Sequence, residues 1–489
     1  MSFWWDEAML ADNLVQRGFD EMLDPLDHRQ AAPPGFLLAV KGVAATLGTG
    51  ERTLRVVPML ASVAGLMLFV PLAIQMIGWR WGLAAIALVS FNTHLIGHAS
   101  ELKQYSGDAA ITIALLLAAS VVWRHGWTTA RAVALGVLGA VSVWFSHPAV
   151  FVLASIGMGL LLQSLRSADR SDARRILLIG AIWLASFALH YLLHIRLVST
   201  DQNLRKWWGF AFWPVLPYRG EHLVWYRDIP IRMFSYPGGL SFVGLGAASL
   251  VVGLLAWWRE DKVRLCFVAG PLALALLASA LGKYPFFERT LLFATAPMIL
   301  LMVGGIEYIR RRLHSRVTGV VLAAMLIAGP AYGSVKRLIE PVGKGTADVS
   351  GVLLHVSENW REGDALVVHW GLHFTVDYYV RHSDMLPETA HVLPANGPVI
   401  TMPAEDPGWN ELIEQLLPTL RQEHKRVWII YGNLCPEVPS DRLPGLRVLE
   451  SYRAPRGAYV KLYEILPRPP VDANREPATT SAPAGMSCD

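Results

Sequence analysis

Two carboxylates stand side by side near the start of the chain, in the stretch SFWWDEAMLAD, as Asp6 and Glu7. A carboxylate can serve as a general base toward a hydroxyl. Neighbouring residues in a helix or turn point in different directions, so the pair does not form a dyad around one reacting atom. One is read as the base and the other as an orienter; the competing reading is a solvated acidic pair in the first turn of an amphipathic helix. Two histidine pairs, His94 with His98 and His190 with His194, have the i, i+4 spacing that metal sites use. Neither has an evident Asp, Glu or Cys third ligand, although Glu101 follows His98 by three, and polar packing near the outer membrane surface is the preferred reading. The three cysteines, Cys266, Cys435 and Cys488, offer neither a disulfide framework nor metal-ligand spacing.

The elements that must position these groups are set by composition. With 489 residues, 53% hydrophobic and 17% charged, and a mean hydropathy of +0.37, the chain reads as a polytopic membrane protein rather than one large soluble domain. Its +4 charge lies at the ends of apolar runs, which argues against a nucleic-acid partner. No secretory signal peptide is visible. About ten stretches are long and apolar enough for a bilayer core of ~30 Å: 54–77, 81–98, 108–123, 130–145, 149–165, 176–197, 238–258, 265–281, 291–309 and 317–334.

Lys and Arg separate between alternate connections. Arg80; Arg124 and Arg131; Arg166, Arg170, Arg174 and Arg175; Arg259, Lys262 and Arg264; and Arg310, Arg311, Arg312 and Arg316 mark the cytoplasmic set. Residues 1–52, ELKQYSGD at 101–108, the Trp-rich KWWGFAFWP at 206–214, GKYPFFER at 282–289 and everything after about 341 are then expected outside. The domain reading is 1–52 as a first extracytoplasmic loop, 53–340 as the transmembrane domain, 341–466 as a small extracytoplasmic α/β domain and 467–489 as a disordered tail. In the α/β part, DVSGVLLHVSENW has helical spacing, ALVVHW and RVWIIYG read as short apolar runs, and LRVLESYRAPRGAYVKLYEIL reads as two strands about an Arg-Gly turn. The Trp-rich loop is read as an interfacial segment.

An enzyme facing outward lacks cytosolic nucleotide sugars and ATP, and the sequence has no Walker loop, dinucleotide fingerprint, HExxH or GxSxG. A lipid-linked donor is the simplest group source there. Its phosphate at the interface calls for a carboxylate base for the acceptor and cations for the phosphate.

The segment from Trp4 to about Gly65 carries Asp6-Glu7, then Pro33-Pro34, Gly48 to Glu51, and Leu54-Arg55 entering a helix. This order resembles the first outer loop of the GT-C glycosyltransferases, in the branch of protein O-mannosyltransferases and lipid A aminoarabinose transferases. HASELKQYSGDAAI, with Glu101, Lys103 and Tyr105, resembles the family's second outer segment. KYPFFERTLLFATAP, with Arg289, resembles a later one, and HWGLHFTVDYYVR resembles the soluble domain of bacterial members.

The resemblance implies a GT-C type polytopic α-helical membrane protein with a small C-terminal α/β domain. It implies inverting transfer of a sugar from a polyprenyl-phosphate donor, with Asp6 as base, Glu7 beside it, and Lys41, Arg55, Lys103, Lys283 and Arg289 as candidates to hold the phosphate, Arg289 and Arg55 foremost. Glu101 and Tyr105 are expected at the substrate. The acceptor is read as a glycan or lipid, or else a protein, on the periplasmic face of a bacterial inner membrane; no cofactor is expected, a divalent metal being possible. Two departures stand out. Many relatives of the lipid A branch have Lys before the Pro-Pro where this chain has Gln30-Ala31-Ala32, and relatives have a transmembrane helix before the Asp-Glu pair, so Met1 is read as an internal or misassigned start. The rival from another class is a non-catalytic transporter with an outer sensor domain, for which paired interrupted helices with intramembrane charges would be expected.

Overall fold

The computed structural model describes residues 2–167, 169–199, 202–339, 348–368, 370–383, 391–393, 409–432, 443–454 and 457–467. Residues 468–489 of the expected tail, with Cys488, and Cys435 lie outside them. The chain divides into two units, the first running from Phe3 to Lys344 and the second beginning at Gly345.

The first unit is helical, and each of the ten apolar runs contains helix, the run 238–258 only from Val243 onward. Seven described helices are long and apolar enough to cross a membrane: Glu51–Ser90, Tyr105–His125, Ala149–Ser167, Arg170–Val198, Lys262–Ala280, Glu288–Leu313 and Arg316–Ile339. Thr129–Phe145 is apolar but shorter, and Val243–Glu260 ends in a charged turn. The 40 residues of Glu51–Ser90 would make a straight rod of ~60 Å, twice the hydrocarbon core. They do not form one. Gly78 takes φ 78 and ψ 161, a conformation favourable to glycine. The chain folds back there, so that a Cβ at Gly82 would lie 3.4 Å from the Ile74 amide nitrogen. The runs 54–77 and 81–98 are thus the two arms of a helical hairpin, the second continuing past Asn92 into Thr93–His98.

Thr295–Leu313 is enclosed, with Thr295 through Ile306 all buried. Val243–Glu260 approaches it backbone to backbone: a Cβ on Gly305 would meet the Ser249 carbonyl oxygen at 1.9 Å, and one on Gly253 the Leu301 oxygen at 2.1 Å. Small residues at a helix crossing permit such contact. Phe69, Leu72, Leu116, Val152, Ile156, Phe267 and Leu300 fill the interior around it.

The segment read only as an outer loop, 1–52, is itself ordered into helices Trp5–Gln16 and Pro34–Leu47. Pro34 occupies the first helical turn, where its missing N–H costs nothing. At 14 residues, Pro34–Leu47 is too short to span a bilayer.

The second unit holds a five-stranded sheet in the order β2-β1-β3-β5-β4, with β1 Asp364–Val368, β2 His391–Leu393, β3 Arg426–Gly432, β4 Leu446–Arg453 and β5 Ala458–Ile465. β1 pairs in parallel with β2 and β3, whereas β5 is antiparallel to β3 and β4. Helix Val349–Asn359 buries Val349, Val352, Leu353 and Val356 at the spacing read from sequence. Ala365, Val367, Val427, Ile429 and Tyr463 form the core of the sheet.

Candidate active site

Asp6 and Glu7 lie in the first turn of Trp5–Gln16, where carboxylates favour the helix dipole. Glu7 accepts the Trp4 backbone N–H at 3.3 Å and so caps the helix. The two side chains then diverge. Glu7, 1% exposed, receives Arg55 through Nε at 2.8 Å and Nη2 at 2.6 Å, and the Leu102 backbone N–H at 2.6 Å. Its oxygens are filled by donors. Glu7 therefore fixes the bend before Tyr105, and with it Lys103, onto the first helix.

Asp6 has different partners. Its Oδ1 accepts from Lys103 Nζ at 3.0 Å and Gln30 Nε2 at 3.0 Å, and its Oδ2 from Arg289 Nη1 at 2.8 Å. Gln30 also accepts from Lys103 Nζ at 2.6 Å through its own Oε1, so one amide bridges the acid and the cation. The loop between the two outer helices returns Gln30 to this place because Asn13 accepts the Asp27 N–H at 2.8 Å and Arg17 pairs with Asp27 at 2.9 Å.

Arg289 comes from the far side of the sequence. It is the second residue of a 3₁₀ segment, Glu288–Ala294, braced by Thr290, whose hydroxyl donates to the Pro285 carbonyl at 2.7 Å, and by Tyr284, whose hydroxyl donates to the Thr290 carbonyl at 2.7 Å. Its guanidinium lies 5.8 Å from the Trp4 ring, 5.8 Å from Tyr105 and 5.4 Å from Trp208. Three aromatic faces and one carboxylate hold the cation in place.

Burial by itself would raise the Asp6 carboxyl, but Lys103, then Arg289, and the hydrogen bonds from Lys103 and Gln30 outweigh it and bring it down to about 2. Burial lowers Lys103, against the attraction of Asp6 and with the repulsion of Arg289. Glu101 is also lowered: burial opposes this, but His98, Arg289 and Lys103 prevail. Glu101 lies 2.6 Å from His98 Nδ1, and His98 Nε2 meets the Tyr236 hydroxyl. His98 thereby has a carboxylate and a phenol as neighbours, and His94 packs on the Tyr236 ring at 3.9 Å.

Of the residues singled out from sequence, Asp6, Lys103 and Arg289 meet directly, Tyr105 faces Arg289, and Glu101 is within electrostatic reach of both cations. Arg55 is committed to Glu7 and lies 4.8 Å from the Phe3 ring. Lys41 stands elsewhere: its ammonium donates to the Leu14 carbonyl at 2.8 Å, near the C-terminal end of the first helix, where a cation meets the free carbonyls. Lys283 is exposed and is not among the side chains paired with Asp6. Three members were not assigned from sequence. Gln30 was visible as a departure from a lysine, and Trp4 and Trp208 as members of aromatic clusters, but spacing does not say which ring covers a cation.

The arrangement offers a buried carboxylate with two cations at hydrogen-bond distance. Such a site can receive an anion at the cations and a hydroxyl at the carboxylate.

No family model matches the chain, and a comparison with curated proteins finds no match. Solved structures do match in shape. ArnT from Cupriavidus metallidurans in its apo state has a TM-score of 0.50 at 12% identity, over 94% of each chain. The Archaeoglobus fulgidus oligosaccharyltransferase has a TM-score of 0.50 at 11% identity, over 88% of this chain and 64% of its own, so this chain spans a little under two-thirds of that protein. The chain accordingly has the GT-C fold, a polytopic α-helical membrane architecture with a small C-terminal α/β unit.

Proposed function

We propose that the chain is an inverting membrane glycosyltransferase that moves a sugar from polyprenyl phosphate to a glycan or lipid acceptor on the periplasmic face of a bacterial inner membrane. The observation that carries this reading is the clamp of Lys103 and Arg289 on Asp6. A donor phosphate entering the site competes with Asp6 for both cations. As they turn toward the phosphate, the Asp6 carboxyl loses the charges that hold it at about 2, and its affinity for a proton rises.

Asp6 then takes the acceptor hydroxyl proton as the oxygen attacks the anomeric carbon. The bond from that carbon to the phosphate oxygen breaks, and its electron pair leaves with the prenyl phosphate. The leaving phosphate gains a negative charge, and Lys103 and Arg289, already in place, favour that state over the ground state. The charge balance agrees with this assignment: Asp6, Glu7 and Glu101 face Arg55, Lys103 and Arg289, so an arriving phosphodiester leaves the site one negative charge in excess until Asp6 is protonated. Glu7 is a positioning residue, since its oxygens are occupied by Arg55 and the Leu102 amide. The alternation of Lys and Arg between connections supports the outward placement.

The test incubates the full chain in nanodiscs with labelled polyprenyl-phosphate sugars and compares it with Asp6→Asn. The wild type is expected to transfer label and the variant to lose about 10²- to 10⁴-fold in rate, the usual contribution of a general base. An unchanged rate in the variant would overturn the assignment of Asp6.

A further inference from the structure

A second group of side chains lies away from Asp6 and has no part in that mechanism. His147 sits at the corner between helices Thr129–Phe145 and Ala149–Ser167, while His190 and His194 lie near the end of Arg170–Val198. One potential ligand atom from each of the three lies within 4.8 Å of the others. The rings stack at centroid distances of 5.7 Å for His147–His190, 5.7 Å for His190–His194 and 6.3 Å for His147–His194.

These histidines are not ordinary packed polar groups. His190 is 0% exposed and His194 1%, and the Nε2 atoms of all three lack a hydrogen-bond partner among the described residues. A buried polar atom without a partner is costly, and here three such atoms occur together. His194 Nδ1 lies 3.2 Å from the Leu23 carbonyl oxygen. A carbonyl only accepts, so Nδ1 carries the proton and Nε2 keeps a bare lone pair. A hydrogen bond of this kind fixes the tautomer in which Nε2 is able to bind a metal. The helix also widens into a π turn over Tyr191–Ile195, which follows His190 directly and contains His194, a local distortion that recurs at functional sites. Trp144 stacks on His190 at 5.0 Å and walls the group on one side.

We propose that His147, His190 and His194 bind one transition-metal dication, best matched by zinc, with a water completing the coordination. Three neutral imidazoles with an open fourth position are a recurrent zinc donor set. A tetrahedral zinc at Zn–N of about 2.0–2.1 Å brings its nitrogens to roughly 3.3 Å from one another, so from separations of up to 4.8 Å the rings close by at most about 1.5 Å on binding. Because Leu23 belongs to the loop that carries Gln30, the ion fastens that loop to two membrane helices through His194. The site is a structural pin and takes no part in the chemistry at Asp6.

The experiment uses the full chain purified through a tag without histidines, stripped with a chelator and dialysed. Zinc is titrated by calorimetry, and cobalt(II) by visible absorption, on the wild type and on His147→Ala, His190→Ala and His194→Ala. The expected result is one zinc per chain, ligand-field bands of four- or five-coordinate cobalt in the wild type, and loss of those bands with a more than about tenfold weaker affinity in each variant, since loss of a group that only hydrogen-bonds to a ligand already reaches that size. Should a variant fail to fold, the cobalt spectrum of the wild type decides alone: the weak bands of six-coordinate aqueous cobalt would overturn the proposal. So would a His147→Ala protein that binds zinc with wild-type stoichiometry and affinity.

Discussion

The Asp6 carboxylate and the Arg289 guanidinium meet at 2.8 Å although 283 positions separate them along the chain. Neither residue is held by that contact alone: Gln30 and Lys103 fill the other oxygen of Asp6, and Trp4, Tyr105 and Trp208 surround the arginine.

In the proposed reaction, removing the guanidinium removes one of the two charges that would hold the donor phosphate. Arg289→Ala is expected to lower kcat/KM by about 10²- to 10³-fold, the range seen when one preorganised donor to developing negative charge is lost. Arg289→Lys should restore only part of it, because a lysine brings a point charge without the planar fork that the three aromatic faces hold. Initial rates with labelled donor, taken on all three proteins at several donor concentrations, check this.

Gln30 offers a more selective probe, because it carries no charge and still touches both Asp6 and Lys103. Gln30→Ala leaves all the charges in place, removes one hydrogen bond to Asp6 and frees the lysine to move. The expected cost is about tenfold in kcat/KM, equivalent to ~1.4 kcal/mol of transition-state stabilisation. Rates that match the wild type would mean that Lys103 is positioned without the amide.

Asp6 also contributes to stability with a definite pH dependence. Its carboxyl is held at about 2 in the folded protein against 3.8 for an ordinary aspartate. A depressed acid stabilises the fold fully above its unfolded value and loses that contribution as pH falls through the folded one. For the 9% exposed Asp6 the contribution is about 2 kcal/mol at neutral pH. The gap in melting temperature between wild type and Asp6→Asn, followed from pH 7 downward, should hold to about pH 4 and close between about 4 and 2. A gap constant to pH 2 would contradict the ion pairing.

The Glu7–Arg55 pair is predicted to act on the fold. The side chain of Arg55 is 12% exposed and that of Glu7 1%, so Arg55→Ala leaves a buried carboxylate short of its cation. Breaking such a pair costs about 3–5 kcal/mol. Thermal unfolding in detergent should register the loss, and Glu7→Gln placed on the Arg55→Ala background should recover part of it by removing the stranded charge.

Much of this architecture was legible along the chain. The ten apolar runs are helices because each must satisfy its backbone within itself when no water is at hand, and that demand is written residue by residue. The fold class followed from it, together with the ordered elements of the second unit, whose spacing at Val349, Val352, Leu353 and Val356 is local. Where Gly78 divides one long helical stretch into a hairpin, the gap between the runs ending at 77 and starting at 81 already showed the break.

The candidate site was legible only in part. Asp6, Lys103, Tyr105 and Arg289 could be named because each stands in a segment with its own signature, yet the same reasoning also offered Lys41 and Lys283 and ranked Arg55 beside Arg289. A cation at the edge of an apolar run looks the same whether it serves a helix end, as Lys41 does at Leu14, an internal ion pair, as Arg55 does at Glu7, or the Asp6 carboxylate. Likewise the i, i+4 spacing of His190 and His194 was legible, but polar packing was the preferred reading, because His147, the third histidine of the group, lies 43 residues before His190 at a corner between two other helices. Sequence alone determined which long apolar segments are helical and which residue types are available, since those depend on neighbours within a few positions. Tertiary structure decided which charges meet and which ring covers Arg289, since helix packing brings distant residues together in ways that local spacing does not record.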